Sequence, residues 1–317
     1  MRRLHMIPTG TKIDFIGKKI AFFAFSFCLI IASIGIFGTN GLNYGIDFKG
    51  GIMMEVRSNS GPADVGALRT QLSKLGLGEI SIQEFGEPEE VLIRIQRQEG
   101  DEKAQQAAVE AVKAELKDTV EYRRTEFVGP KVSEELFMDG VMAVALAIGA
   151  ILVYIWFRFE WQFGMGAVVA LIHDVISTIG IFALLGMEFN LSTVAAVLTI
   201  AGYSINDTVV VYDRVRENLR KYKKMDLAEL LNMSVNETLT RTVMTSVTTL
   251  VALLALYILG GEVIRGFSFA MIWGIVIGTY SSICLAVPIL TYFVLRRSDD
   301  EDEEDSEIEK VEGEGAV

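Results

Sequence analysis

About six stretches of this 317-residue chain are long and apolar: near 20–39, 137–157, 163–185, 190–212, 243–260 and 267–294. A bilayer core about 30 Å thick is crossed by roughly 20 apolar residues in a helix. Hydrocarbon offers no partner to a backbone N–H or C=O, so a run of this length must satisfy its own hydrogen bonds, as an α-helix does. The sequence therefore predicts a polytopic α-helical membrane protein of six spans. The composition agrees: 51% of residues are hydrophobic and the mean hydropathy is +0.38, too apolar for an ordinary soluble domain. The last run is long and glycine-rich, which predicts a tilted or extended span.

Orientation follows from lysine and arginine in the short connections. Arg2, Arg3, Lys12, Lys18 and Lys19 precede the first span, Arg214 to Lys224 follow the fourth, and Arg296 and Arg297 follow the last. With six spans these clusters share one side, so both termini are expected in the cytoplasm. The opposite connections, GMEFN and GGEVIR, are nearly free of positive charge. The organisation expected is a cytoplasmic lead (1–19), a first span (20–39), an extracytoplasmic domain (40–136), a five-helix membrane domain (137–295) with a cytoplasmic loop (213–241), and a tail (296–317). The lead has no clear cleavage site before the first span, which is read as uncleaved.

Within 40–136 the signals run strand, helix, strand, strand, helix, strand. YGIDFKGGIMMEVRS alternates like a strand and GPADVGALRTQLSKLG has helical spacing. ISIQEF and EVLIRIQ flank the turn GEPE. Asp101 is placed to cap the helix EKAQQAAVEAVKAELKD, and TVEYRRTEFVG closes the series. This is the split βαβ, ferredoxin-like order. The net charge of −12 sits almost entirely in 299–317, with eleven acids and one lysine, a composition expected to be a disordered, solvated tail. Cys28 and Cys284 fall in apolar spans and read as small hydrophobes. There is no CxxC, HExxH, GxGxxG or phosphate-binding loop. No metal, nucleotide or other cofactor is expected, nor an enzyme, nor nucleic-acid binding.

A charged side chain at bilayer depth costs at least about 2.5–3.5 kcal/mol on insertion scales, so each one needs a reason. Asp207, beside Asn206 in AGYSINDTVVVYDRVREN, lies one to two turns from the cytoplasmic end of the fourth span, on a face shared with Tyr203 and Ser204. Two readings stand: a carboxylate that binds and releases a proton, tuned by burial and a nearby cation, or a structural carboxylate hydrogen-bonded between helices. Arg241 opens the fifth span in TRTVMTSVTTL. It either snorkels to the interface or reaches a carboxylate a turn deeper. His173 and Asp174 lie mid-way along the third span, as a proton relay or as a lock between helices.

GLNYGIDFKGG, YSINDTVVVYDRVREN, TRTVMTSVTTL and GFSFAMIWGIVIGTYSSI together resemble the SecD/SecF family of protein-export membrane proteins, its SecF branch closely. The resemblance covers all but the lead and the tail. It implies half of a resistance-nodulation-division fold and pairing with the other half, SecD. It implies work with the SecYEG channel, with YajC and SecA as further contacts, on unfolded exported polypeptide. The setting implied is the bacterial inner membrane, with the proton motive force as the energy source. It also implies a proton path through Asp207 and Arg241, supported by Asn206, His173 and Asp174. Against it stand three rivals: a lipid or small-molecule transporter half of the same superfamily, an intramembrane aspartyl protease using Asp174 and Asp207, and a scaffold that stabilises a complex without transport.

Overall fold

The computed structural model describes residues 11–100 and 102–295. The acidic tail, the first ten residues, Arg296, Arg297 and the expected cap Asp101 lie outside the described residues. Among the described residues, six helices are long and apolar enough to cross a membrane. They are α1 (Lys19–Asn40), α5 (Pro130–Arg158), α6 (Trp161–Leu185), α7 (Leu191–Lys221), α8 (Leu227–Leu259) and α9 (Glu262–Ser281). A π-helical turn, Ser282–Ala286, and short helical turns carry α9 on to Tyr292.

The expected loop 213–241 is mostly helix. α7 continues to Lys221 and α8 begins at Leu227, so only 222–226 connects them. The charged residues there mask an apolar stripe: Val215, Leu219, Leu230, Leu231 and Val235 bury one another as the two helices extend beyond bilayer depth. Asp226 caps α8, its carboxylate accepting from the N–H of Ala228 at 3.0 Å. Arg214 Nε donates to Glu237 at 2.6 Å and Asn218 Nδ2 to Ser234 Oγ at 2.9 Å, fixing the register of the hairpin.

Between α1 and α5 lies the α+β domain. It contains β1 (Asn43–Tyr44), a single turn α2 (Ile46–Lys49), β2 (Gly51–Ser58), α3 (Val65–Ser73), β3 (Ile80–Phe85), β4 (Glu87–Ile95), α4 (Glu102–Glu115) and β5 (Val120–Val128). Its sheet has the order β3-β4-β2-β5, antiparallel throughout. From β2 onward the elements follow the split βαβ order. The alternation of β2 buries Ile52, Met54 and Val56 under α3 and α4, against Ile93, Val112 and Leu116. The long strand expected from Tyr44 is interrupted. Gly50 and Gly51, at φ of +69° and +123°, turn the chain after α2, and β2 starts only then. The two-residue β1 pairs instead with β6 (Glu188–Phe189), in the connection between α6 and α7.

In the membrane part α1 packs on α6, and α9 packs on α7, α8 and α6. Without water outside, helices associate through close packing of small residues. A Cβ on Gly180 of α6 would overlap the side chain of Ser33 and lie 2.7 Å from its Cα. A Cβ on Gly274 of α9 would overlap Ile200 of α7. Gly180→Val is thus expected to push α1 off α6 and to cost about 1–3 kcal/mol by overpacking. Gly35→Val, where nothing lies within 4 Å of the added Cβ, should be close to neutral. Thermal melts of the detergent-purified protein check this, and equal melts for both variants would place α1 elsewhere.

Candidate functional site

The centre of the membrane part is polar. Asp174, fully buried on α6, accepts from Ser204 Oγ of α7 at 2.6 Å and from Ser281 Oγ of α9 at 2.8 Å, both through Oδ2. Its Oδ1 lies 3.0 Å from Nδ1 of the adjacent, fully buried His173. With the carboxylate ionised, Nδ1 is the donor, which leaves Nε2 as an acceptor with no partner. The His173 ring lies 6.0 Å from the ring of Tyr280, whose hydroxyl donates to the carbonyl of Phe22 and meets Ser26 Oγ, each at 2.9 Å. One carboxylate therefore ties α6, α7 and α9 together, and α1 joins through Tyr280.

One turn further along α7, Thr208 Oγ1 meets Ser282 Oγ at 2.8 Å, and Tyr212 donates to the carbonyl of Ala286 at 3.0 Å. Ser282 and Ala286 are the first and last residues of the π turn. A π turn frees backbone carbonyls and shifts the helix face. Here α7 side chains occupy both of its ends. All five residues of the turn are buried.

Asp207 is 5% exposed, and its Oδ2 has no hydrogen-bond partner. At about 1.5 Å per residue it lies about 24 Å from the domain end of α7, near the middle of that helix. Arg241 and Thr242 on α8 are the groups that act on it. Thr242 is fully buried, and its hydroxyl lies toward the Asp207 carboxylate without closing a hydrogen bond of ordinary geometry among the described residues. Arg241 is exposed and makes no ion pair with Asp207 among the described residues. Asn206 is exposed on the outer side of α7 and is not brought to this cluster. Asp174 and Asp207 share no hydrogen bond, so they do not form the proton-sharing dyad that an aspartyl protease needs. Among the described residues no group of three His, Cys, Asp or Glu is arranged to hold a metal ion.

The domain is fastened to the start of α7. Asp47, in the motif GLNYGIDFKGG, accepts from the N–H of Leu191 at 2.9 Å, where the positive end of the helix dipole favours an anion. Gly45 N–H donates to the carbonyl of Phe189 at 2.9 Å, and Asn43 Nδ2 to that of Gly186 at 3.0 Å. Glu188 pairs with Arg94 of β4. Burial holds the Glu188 carboxyl above the usual carboxylate range, and the Arg94 guanidinium pulls it back only in part; Asp47 and Glu126 also face it. A Cβ on Gly45 would sit against the Glu188 and Asn190 side chains, so the approach needs glycine there.

From sequence, Asp174, His173 and Asp207 stood out because charge is rare in apolar runs. Ser204 was visible as Asp207's neighbour on the helix face. Ser281, Ser282 and Thr208 were not, because small hydroxyl residues in a membrane helix usually bond their own backbone. Their pairing depends on which helix lies opposite. The role of Asp47 was hidden for the same reason: its partner is 144 residues away.

Comparison with known proteins follows this geometry. Residues 108–296 match the family "Protein export membrane protein SecD/SecF, C-terminal", and residues 35–61 match the SecD/SecF GG motif. The chain is 47% identical over 298 residues to the protein translocase subunit SecF of Rickettsia rickettsii, spanning 93% of this chain and 96% of that one. It is 48% identical over 304 residues to the protein translocase subunit SecF of Cereibacter sphaeroides, spanning 93% and 94%. Among solved structures, SecDF of Thermus thermophilus, described as a translocon-associated membrane protein, superposes with a TM-score of 0.80 at 38% identity. That match covers 89% of this chain but only 39% of the SecDF chain. A SecDF structure in a super-membrane-facing form gives a TM-score of 0.66 at 38% identity.

The attachment of the domain has a testable pH dependence. A carboxyl whose folded-state pKa is raised contributes stability at acid pH that is lost as pH rises through its titration. Arg94→Ala removes the cation that offsets this loss. The variant is expected to lose about 1–3 kcal/mol at neutral and alkaline pH and to approach the parent protein as the pH falls and Glu188 takes a proton. Melting curves across pH check it. A deficit of the same size at every pH would mean that Arg94 acts by packing alone.

Proposed function

The chain belongs to the SecD/SecF family of protein-export membrane proteins, and on that premise we propose that it is a translocase subunit that pairs with SecD and spends the proton motive force on late steps of polypeptide export through SecYEG. SecA and YajC are further contacts in this reading. The setting is the bacterial inner membrane, with both termini in the cytoplasm and the α+β domain outside. The distribution of lysine and arginine supports that orientation.

The observation that carries the reading is the buried, unpartnered oxygen of Asp207. A buried polar atom without a partner calls for an explanation, and a proton-binding site supplies one. Protonation removes the charge and gives the carboxyl a donor, for which the Thr242 hydroxyl is an acceptor. Arg241, on the facing helix α8, is the cation that acts on this carboxylate. Movement of one charge through the membrane potential yields about 2.3 kcal/mol per 100 mV, and the chain has no nucleotide-binding motif to provide energy otherwise.

α7 is the strut that carries the change outward. Asp207 and the residues that hold the π turn lie on the same helix, and Asp47, Gly45 and the Arg94–Glu188 pair fasten its other end to the domain. The domain's free sheet edges, β3 and β5, offer unpaired backbone groups to which an unfolded chain can add as a strand. SecD has a place beside α7. Ala195, Thr199, Gly202 and Asn206 form an exposed row of small and polar residues at helical spacing. Lipid would leave the Asn206 amide unsatisfied, whereas a packed partner helix can bond it.

The test is export in cells depleted of the native chain and complemented with Asp207→Asn, with and without the proton gradient. Membrane insertion and SecD binding are confirmed first. Export is expected to fall to the depleted level and to lose the gradient dependence that the complex confers. Arg241→Gln should weaken the same step. Normal export with normal gradient dependence in Asp207→Asn would make Asp207 a structural contact and favour a scaffold.

A further inference from the structure

Two cavities meet at Tyr44 on the domain side of the membrane part. One is an apolar cavity of about 530 Å³ among α1, α5 and α6. Apart from the hydroxyls of Ser33 and Tyr44 it is lined by hydrocarbon, including Ile34, Phe37, Val141 and Ile179. Its mouth is bounded by exposed apolar side chains of α1 and α5, so it opens toward lipid. Tyr44, Phe48, Phe137 and Phe189 stack edge to face or tilted at its domain end, with ring centres 5.9–6.3 Å apart. The second cavity, about 550 Å³, lies between Asn43–Gly50 and strands β3 and β4. Lys49, Arg94 and Arg97 line it together with Glu79 and Glu99. Arg94 is committed to Glu188, while Lys49 and Arg97 form no ion pair among the described residues.

We propose that the two cavities are one binding site for a phospholipid of the domain-side leaflet, with an acyl chain in the apolar part and the phosphate on Lys49 and Arg97. Three observations favour this occupant. A dry cavity that opens into a bilayer is filled by the medium around it, and that medium is acyl chain. The volume suits a chain and not a helix: a helix about 10 Å across would fill it with little more than one turn, whereas a single file of methylenes enters along its length. The change from hydrocarbon to charged side chains at Tyr44 also falls where a lipid changes from chain to headgroup, an interface depth that tyrosine favours.

In hydrocarbon an acyl chain gains nothing from leaving water, so selectivity must come from the polar end. Lys49 and Arg97 face the phosphate while Glu79 and Glu99 beside them suit a headgroup amine, so the site is expected to prefer a zwitterionic headgroup to an anionic one. It also has a structural consequence. The lipid would touch α1, α5, the β1–β6 joint and strand β4 at once, at the place where the domain is fastened to α7.

The experiment uses the full chain in complex with SecD, purified in mild detergent and exchanged into nanodiscs of phosphatidylglycerol, phosphatidylcholine or mixtures of the two. Bound lipid is counted by native mass spectrometry after stripping. The parent complex is expected to retain phospholipid, with zwitterionic phosphatidylcholine enriched over the nanodisc composition. Ala145→Trp adds an indole to the apolar cavity from an exposed position on α5 and should abolish retention. Lys49→Gln combined with Arg97→Gln should keep a lipid but lose at least about a threefold headgroup preference. A photoreactive side chain at position 145 should label lipid. Retention and preference unchanged in both variants would overturn the proposal. So would labelling of a SecD helix or of a translocating polypeptide at position 145. Export is not the readout, so the outcome stands apart from that of the Asp207→Asn experiment.

Discussion

The Asp174 carboxylate sets the arrangement of the membrane part. In water a serine–carboxylate hydrogen bond competes with solvent and contributes little net stability. In a fully buried position there is no competitor. An ionised group at that depth is tolerated only when its lone pairs are filled. Asp174 meets that condition with one donor from its own helix and one from each of two others. Sliding α7 or α9 by a residue would strand the charge. The register of three helices is thus fixed at one point, and the close glycine contacts at Gly274 and Gly180 lie on helices already placed by it.

From that fixed point α7 extends in both directions. Toward the domain it ends under the Asp47 cap and the β1–β6 pairing. Away from the domain it presents Asp207, then holds the π turn through Thr208 and Tyr212. A π turn is bistable in a way that an ordinary α-helical turn is not, because absorbing or releasing its extra residue rotates everything beyond it. In the proposed mechanism a proton at Asp207 need not bend a rigid helix. It acts near the middle of α7, one residue before the contact of Thr208 with the irregular segment of α9.

Much of the plan was legible in the sequence because it depends on local signals. Apolar run length gives the spans, period-two alternation in GGIMMEVRS gives β2, and rarity of charge in apolar runs gives His173, Asp174 and Asp207. Three features were misread or unseen, each for a physical reason. The stretch 213–241 reads as a loop because its charges hide the stripe from Val215 to Val235 that makes it helix. Tyr44 to Lys49 reads as strand because alternation cannot report the positive φ of Gly50 and Gly51 that breaks it. Ser281 and Ser282 carry no signal, since a serine in a spanning helix becomes part of a site only through the helix opposite.

The two buried carboxylates differ in a way that separates structural from mobile charge. Asp174 has donors on both oxygens, and its Oδ2 holds hydroxyls from two other helices. Asp207 has an oxygen with no donor among the described residues, lies toward the Thr242 hydroxyl without a hydrogen bond of ordinary geometry, and has Arg241 exposed on α8 with no ion pair to it. In the proposed mechanism a proton is accepted at Asp207 without dismantling the core. If a membrane carboxylate is to change its charge state in each cycle, it must be held in place by its helix and not by its own hydrogen bonds. Asp174 provides that hold for α7, and in the proposed mechanism this leaves Asp207, three residues beyond Ser204 on the same face, to take up and release the proton.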